Sequence, residues 1–321
     1  MMLHEDRYAF LALLNQIHKA SGIRFDILEK DYYVSLLLRE LAEKQKDLPA
    51  YFKGGTALYK ALKSIRRFSE DIDLTVSIEN CSNSQAKRRL EQASKKYTSL
   101  PRTTDKAMEE DRRGSITTVY DYEPAVPVDE VDPLQRFRHV KIEATSFTVS
   151  EPFSPMEVEP IIYTFASEEQ RQILRDRYGL APFALLTIRL ERIFADKILA
   201  AEFYYDRKMY FDVAKHIYDV SIMVDLPEIQ CLIDDPEELH RMIGYKKLEE
   251  TRRIGSDLDT RPFSEYRIFD GIANNKAFAT DFQRMQNNYV FNREDILSMD
   301  YVLGQWSKLK RKLLKLSPSA D

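Results

Sequence analysis

The stretch FKGGTALYKALKSIRRFSEDIDLTV, residues 52–76, decides how this sequence folds. It starts at the end of a short apolar run and turns at Gly54 and Gly55. From Thr56 the apolar residues have helical spacing, and the stretch closes on IDLTV, where apolar and polar residues alternate. The stretch therefore predicts a strand, a glycine turn, a helix and a second strand.

Two carboxylates lie at the start of the second predicted strand, Asp71 directly before IDLTV and Asp73 within it. Side chains two residues apart on a strand point to the same face, so Ile72 and Leu74 are expected to pack on the opposite face. Neighbouring carboxylates repel each other unless they are exposed, protonated or bridged by a cation, and Mg²⁺ prefers such oxygen ligands. The alternative interpretation is an exposed strand with incidental acids.

The glycine turn predicts a phosphate site next to these carboxylates. Paired glycines let backbone amides approach a phosphate closely, and the helix that begins near Thr56 points its positive end there. We therefore expect Gly54, Gly55 and Thr56 to lie at a phosphate site, while the aspartates bind the metal that accompanies the phosphates. An ordinary glycine turn is the alternative.

The composition indicates a soluble globular protein. The chain has 321 residues, 44% of them hydrophobic and 31% charged, which suits one large or two moderate domains. No apolar run reaches the length of a membrane span, the N-terminus has no signal-peptide core, and there are only two cysteines. We therefore expect a cytoplasmic protein without membrane association.

Charge does not decide whether the chain binds nucleic acid. The formal net charge of −4 argues against a protein coated in basic residues. Local basic clusters occur at Arg66-Arg67, at Arg252-Arg253 and in the C-terminal stretch KLKRKLLKL. Each cluster is interpreted either as solvated helix surface or as a patch for a nucleic acid.

The pattern along the chain predicts a mixed α/β part followed by a helical part. Two helices are expected over residues 4–20 and 25–44, and strands at SITTVYDY, HVKIEATSF and VEPIIYTF. The acidic, proline-rich residues 123–135 predict a loop. From about residue 168 the pattern is helical, and the last helix is expected from Arg293 to Leu316.

Residues 52–76 resemble the signature of the DNA polymerase β-like nucleotidyltransferases, in which a glycine turn and a helix precede Asp-x-Asp on a strand. Within that superfamily, KGGTALYKAL and RFSEDIDL resemble the AbiEii/AbiGii toxin family, which includes the MenT-type toxins. The segment ILEKDYYVSLLLREL, residues 27–41, is similar to that family's N-terminal helix, and the resemblance covers about residues 25–225. One departure is Gly55, which stands where many superfamily members have serine.

The resemblance implies an α/β (α+β) nucleotidyltransferase fold with a mixed sheet and N-terminal helices. The nucleotidyltransferase domain is expected over residues 1–166, and a helical C-terminal domain over residues 167–321. HVKIEATSF is similar to the strand that carries the superfamily's third carboxylate. This assigns Glu143 as a catalytic residue and metal ligand together with Asp71 and Asp73, whereas a surface ion pair with Lys141 is the alternative.

The resemblance also implies nucleotide contacts outside the glycine turn. Ser69 lies in the stretch that matches the family's R-x-S-x-D-I-D pattern. LERIFADKILAAEFYYDR and KHIYDV resemble two segments of the family's helical part, which implies Lys197 as a triphosphate contact and Asp219 as its partner. The alternative for Lys197 is an exposed helix lysine without a role in binding. The alternative to Asp219 is Asp212, which lies two helical turns earlier, because His216 replaces the usual first acid of that segment.

The activity that the resemblance implies is metal-dependent nucleotidyl transfer from an NTP, with two Mg²⁺ ions. The expected acceptor is RNA, with the tRNA 3′ end favoured. The expected context is a bacterial toxin–antitoxin or abortive-infection (phage-defence) system, and a cognate antitoxin is the expected partner. Two alternatives stay open: nucleotidylation or phosphorylation of a protein target, and a catalytically silent nucleotide-binding module.

Overall fold

The computed structural model describes residues 1–127, 138–251 and 255–316. The chain folds into two compact units, which are described separately. The first consists of Met1–Lys63, Phe68–Ser146 and Phe153–Thr187, and the second of Ser64–Arg67, Phe147–Pro152 and Ile188–Asp321. Whether two domains divide at residue 166, as the sequence predicts, stays a prediction.

A single mixed sheet organises the first unit. Its strands in the described residues are β1 (Ala50–Lys53), β2 (Ile72–Val76), β3 (Glu110–Arg112), β4 (Ser115–Asp121), β5 (His139–Thr145), β6 (Phe153–Val158) and β7 (Phe183–Ile188). The spatial order is β3-β4-β5-β2-β1-β7-β6. Strand β2 is at the centre, antiparallel to β1 and parallel to β5. The predicted α/β fold class is confirmed.

The helices of the first unit have identifiable start and stop signals. They are α1 (Arg7–Ser21), α2 (Phe25–Lys44), α3 (Gly54–Lys60), α4 (Asn83–Ser94), α5 (Ile161–Thr164) and α6 (Glu168–Tyr178). The side chain of Asp6 caps the start of α1, and Gly22 ends this helix with a left-handed φ of 72°. A capping box of Ser82 and Gln85 starts α4.

The second unit is helical in its described residues. Its helices are α7 (Leu190–Asp206), α8 (Tyr210–Met223), α9 (Pro227–Asp234), α10 (Pro236–Glu250), α11 (Ile268–Gly271), α12 (Lys276–Tyr289) and α13 (Met299–Leu313). Pro227 and Pro236 each occupy a first helical position, where the missing N–H costs no hydrogen bond. None of the helices in the described ranges is long and apolar enough to cross a membrane.

Two predictions for the middle of the chain are wrong. VEPIIYTF is not one strand, because β6 ends at Val158 and residues 161–164 form helix α5. Pro160, which has no N–H for a strand ladder, caps that helix. Helix α6 begins at Glu168, where the helical pattern begins, but residues 183–188 form strand β7 instead of helix. This strand was missed because a short apolar run such as FALLTI does not reveal its type by periodicity.

The C-terminal helix is shorter than predicted. Helix α13 begins at Met299 rather than Arg293, because the Ser298 side chain accepts the Tyr301 N–H and caps it. Of the predicted loop, residues 123–127 have no helix or strand, while residues 128–135 lie outside the described residues. The Arg252-Arg253 pair also lies outside them.

The lysines of α13 face acidic residues of their own unit. Lys308 lies 3.5 Å from Asp225, Lys310 lies 2.7 Å from Asp270, and Lys312 lies 2.7 Å from Asp234. These pairs neutralise much of the positive charge that the sequence places there. The geometry therefore favours the interpretation of this stretch as solvated helix surface rather than a nucleic-acid patch.

Helix α2 contains a buried carboxylate that holds a segment after β4. The two oxygens of Glu29 accept the backbone N–H of Ala125 at 2.6 Å and of Val126 at 3.3 Å. Burial raises the pKa of Glu29 to about 7, and nearby Asp26 adds to the rise, although the two hydrogen bonds and Arg7 oppose it. The native protein therefore holds a proton here that the unfolded chain releases at lower pH.

This proton makes stability depend on pH. Between the unfolded pKa of a glutamate and about 7, the native state binds the extra proton, so the free energy of unfolding should fall as pH rises. In urea unfolding between pH 4.5 and 8, wild type should lose more stability than Glu29→Gln, by on the order of 3 kcal/mol. Equal losses in the two proteins would show that Glu29 does not titrate in this range.

Candidate active site

Two adjacent strands, β2 and β5, bring the predicted carboxylates together. In the register of the sheet, Asp73 on β2 pairs with Lys53 on β1 and with Glu143 on β5. Paired residues of adjacent strands point to the same face, so Glu143 lies beside Asp73 as predicted. Asp71 immediately precedes β2, two residues before Asp73. On the opposite face Ile72 is buried, as predicted.

The carboxylates of this face disturb each other's titration. Burial raises the pKa of Asp71 to about 6, with a further contribution from the charge of Glu70. Burial also raises the pKa of Glu143 to about 7, and the charges of Asp73 and Asp71 add to that rise. A partly buried cluster of like charges is costly, and such clusters are typical of functional sites.

Lysines surround the carboxylate face. The positive charges of Lys30 and Lys141 oppose the rise in the pKa of Asp71. Those of Lys141 and Lys53 oppose the rise in the pKa of Glu143. Sequence reasoning did not assign Lys53 a role. Its position could have indicated a place near the site, because Lys53 directly precedes the glycine turn and therefore lies at the end of the first strand.

The glycine turn lies directly against Asp73. Gly54 has a φ of +80°, which residues with a side chain rarely adopt. A Cβ atom at this position would overlap the Asp73 carboxylate, at 2.7 Å from its Cγ. Glycine is therefore required here by the approach of a protein side chain, in addition to any approach of a phosphate.

A hydroxyl joins the turn to the residue before β2. Thr56 is buried, and its Oγ1 donates a hydrogen bond to the Asp71 carbonyl oxygen. Gly55 is buried in the first turn of α3, and Ser69 is half-buried in the irregular segment before β2. The nucleotide contacts assigned to Gly54, Gly55, Thr56 and Ser69 stay predictions.

The donor set at this face suits a hard cation. In the described ranges, no group of three or more His, Cys, Asp or Glu residues is placed so that it could hold a metal ion by itself. Mg²⁺ does not need one, because it is usually held by one or two carboxylates together with water and substrate phosphates. Asp73 and Glu143, paired across two strands, fit that mode of binding.

The second unit contains a buried carboxylate between two basic side chains. Arg67 forms two bonds to Asp219, Nε to Oδ1 at 2.7 Å and Nη2 to Oδ2 at 2.6 Å. Lys197 Nζ lies 3.0 Å from the same Oδ2. Burial opposes the charge of Asp219, but Arg67 and Lys197 outweigh it and hold its pKa below the ordinary value. Lys197 is thus buried rather than exposed.

The structure distinguishes the two acids of α8. Asp219 is fully buried, whereas Asp212 keeps 35% of its side chain exposed and lies 3.3 Å from Lys215. Between them, His216 stacks on Tyr204, and burial together with the charge of Lys197 lowers its pKa. The roles of Lys197 and Asp219 stay predictions, but Asp219 is the acid that contacts Lys197.

The sequence placed Arg67 only in a basic cluster, interpreted as solvated helix surface or as a nucleic-acid patch, and both interpretations are wrong for this residue because it is buried. It belongs to the quoted stretch RFSEDIDL, and its contact with Asp219 joins residues 152 positions apart. Only the family pattern that begins with arginine could have indicated a role for it.

Comparison with known proteins agrees with the fold and the motif. A family model described as nucleotidyl transferase AbiEii toxin, type IV TA system, matches residues 35–309. Among solved structures, the chain is similar to MenT4, nucleotidyltransferase toxin Rv2826c from Mycobacterium tuberculosis H37Rv. The TM-score is 0.54 at 16% identity, over 96% of this chain and 91% of that chain. No match was found among curated proteins.

The contact between Gly54 and Asp73 can be measured by unfolding. Gly179 also has a positive φ, of +61°, but a Cβ there would meet nothing within 4 Å. Gly179→Ala should therefore cost only about 1–2 kcal/mol for the left-handed backbone. Gly54→Ala should cost at least about 1 kcal/mol more, because it also displaces Asp73.

A double-mutant cycle isolates that contact. Asp73→Ala should recover part of the stability lost in Gly54→Ala, giving a coupling energy of about 1 kcal/mol or more. Urea unfolding of the two single variants and the double variant provides the values. Strictly additive losses would mean that Asp73 does not occupy this space.

The acid pair of α8 gives a second comparison. Asp219→Asn should lower the free energy of unfolding by about 3–5 kcal/mol, because it leaves Arg67 and Lys197 buried without their carboxylate. Asp212→Asn, at a partly exposed pair, should change it by about 0.5 kcal/mol or less. Urea unfolding tests both, and similar small changes would contradict the buried pair.

Proposed function

The chain belongs to the AbiEii family of nucleotidyltransferase toxins of type IV toxin–antitoxin systems, and on this premise we propose that it transfers a nucleotide from an NTP to an RNA 3′ end. Membership of the family makes the protein a nucleotidyltransferase. The proposal adds the acceptor, the metal and the residues of the site. Among RNA acceptors, the tRNA 3′ end is the favoured one.

One observation carries the assignment of the site: Asp73 and Glu143 are paired on β2 and β5 directly beside the glycine turn. A degenerate domain has no physical reason to keep repelling carboxylates in a partly buried position. A catalytic site has one, since the repulsion is relieved when a cation and an anionic substrate bind. This favours an active enzyme over a silent nucleotide-binding module.

We propose Asp71, Asp73 and Glu143 as the ligands of Mg²⁺, with two ions as the expected number. When bound, the metal stabilises negative charge on the triphosphate and lowers the pKa of the acceptor hydroxyl. The oxygen donors and the raised pKa values of Asp71 and Glu143 are the observations that support this choice.

The residues of the chain would then act on substrate and proton. The acceptor 3′-oxygen attacks the α-phosphorus of the NTP, a new P–O bond forms, and pyrophosphate leaves. Glu143 is the candidate to take the proton from the 3′-hydroxyl, because the third carboxylate is the one nearest the acceptor in the superfamily that the chain resembles.

The triphosphate contacts are proposed for two parts of the chain. Backbone amides of the turn at Gly54 and Gly55, with Thr56 and Ser69 nearby, are proposed to contact the phosphates. Lys197 is proposed as a basic triphosphate contact, with Asp219 holding its ammonium group in place. A cognate antitoxin is the proposed partner that restrains the toxin.

The proposal predicts that activity requires Asp73. Asp73→Asn keeps the shape of the side chain against Gly54 but removes its charge, so nucleotide transfer should fall by about 100-fold or more. Thermal stability should hold or rise slightly, because one of several repelling charges is gone. The assay incubates each labelled NTP with Mg²⁺, total RNA and a cell lysate, and identifies the polymer that becomes labelled.

Glu157→Gln provides the matched control, since Glu157 is an exposed acid on the edge strand β6 and should retain full activity. Induced expression of the same variants, with sequencing of RNA 3′ ends, extends the test to cells. Label in protein would move the acceptor to a protein target. Toxicity of Asp73→Asn equal to wild type would contradict a catalytic origin of toxicity.

A further inference from the structure

Helix α2 contains a buried acid that the proposed chemistry does not use. Asp31 is fully buried, and three donors converge on its carboxylate. The Tyr59 hydroxyl lies 2.8 Å and the Lys60 ammonium 2.6 Å from Oδ1, while the backbone N–H of Ile161 lies 2.7 Å from Oδ2. The two oxygens of a carboxylate have enough lone pairs to accept from the hydroxyl, the ammonium and the backbone amide at once.

Two of these donors are the last residues of the helix that begins with the glycine turn. Helix α3 runs from Gly54 to Lys60, so it is only about 10 Å long. A rod this short that is fixed at one end has little freedom at the other. The bonds from Tyr59 and Lys60 to Asp31 therefore also restrict the position of the turn.

Lys30, which directly precedes Asp31 in α2, contacts the segment before β2. The ammonium of Lys30 lies 3.2 Å from the carboxylate of Glu70, the residue directly before Asp71. Lys30 and Asp31 together thus contact the end of α3 and the residues before β2. Between those points Thr56 bonds to the Asp71 carbonyl oxygen, and Asp73 lies against Gly54.

We propose that Asp31 is a positioning residue, which through Tyr59 and Lys60 sets the glycine turn against the Asp73 carboxylate. The proposal rests on the proposed function, since the turn and Asp73 are its substrate and metal contacts. Asp31 touches neither substrate nor metal in this scheme. Its effect on catalysis is to fix the distance between the phosphate-binding backbone and the carboxylates.

The variant that tests this is Asp31→Asn. An asparagine keeps the volume but presents an NH₂ group to one of the donors, which removes that bond to residue 31 and should release the end of α3. The matched control is Glu40→Gln on the same helix. Glu40 accepts the backbone N–H of Thr98 at 2.8 Å and of Ser99 at 2.6 Å, but it has no bond to α3.

Hydrogen exchange followed by mass spectrometry reports the position of α3 independently of activity. In Asp31→Asn, amides of residues 54–60 and 71–76 should exchange at least about tenfold faster than in wild type, while those of α13 stay unchanged. In Glu40→Gln, faster exchange should be confined to residues 95–100. At a temperature where both variants are folded, kcat/KM for the NTP should fall about 100-fold in Asp31→Asn and less than about threefold in Glu40→Gln.

If Asp31→Asn does not yield folded protein, Tyr59→Phe replaces it. That variant removes one donor and keeps the charge pair, so the same pattern should appear at about 2- to 10-fold. Uniformly faster exchange, with kcat/KM within about threefold of wild type, would overturn the proposal and make Asp31 a stability element only. If wild type transfers no nucleotide, the proposed function fails, and the local or uniform exchange pattern still decides the role of Asp31.

Discussion

The carboxylate of Asp73 occupies the space that a side chain at Gly54 would need. This contact fixes the identity of residue 54 and the left-handed backbone of the turn, and it brings the turn to the central strand of the sheet. The in-register pairs on β1 and β5 then determine which side chains flank Asp73, Lys53 on one side and Glu143 on the other. The geometry of the candidate site follows from the close approach of Asp73 to Gly54 and from the pairing of β2 with β1 and with β5.

The two units treat buried charge in opposite ways. In the first unit, carboxylates of like sign share one face, and burial with mutual repulsion raises the pKa values of Asp71 and Glu143. In the second unit, Asp219 is enclosed by Arg67 and Lys197, so the charge is nearly satisfied within the protein. The first arrangement is costly by itself and is typical of functional sites, whereas the second pairs its carboxylate with basic groups of the same unit.

Local sequence pattern was sufficient for the glycine turn, the β2 strand and the burial of Ile72, because each depends on residues close in the chain. Glu143 needed the family resemblance, since only the pairing of β2 with β5 brings it to Asp73. The bonds that Asp31 makes could not be predicted from the sequence pattern. Its partner Ile161 is 130 residues away, and a charged residue in the middle of a helix predicts exposure unless the tertiary contacts are known. Strand β7 was not predicted for a related reason: its place in the sheet depends on pairing with β1 rather than on its own sequence.

Residues Ser64–Arg67 belong to the second unit although their neighbours in sequence belong to the first. Arg67 forms a bridge with Val290, and the Phe291 N–H bonds to the Arg66 carbonyl oxygen. A single cut of the chain therefore cannot separate the two units. A fragment that ended at residue 187 would keep Arg67 and lose Asp219, leaving a guanidinium without the carboxylate that neutralises it. Proteolytic cleavage after residue 187 should therefore yield fragments that stay associated or unfold together, rather than two independently folded products.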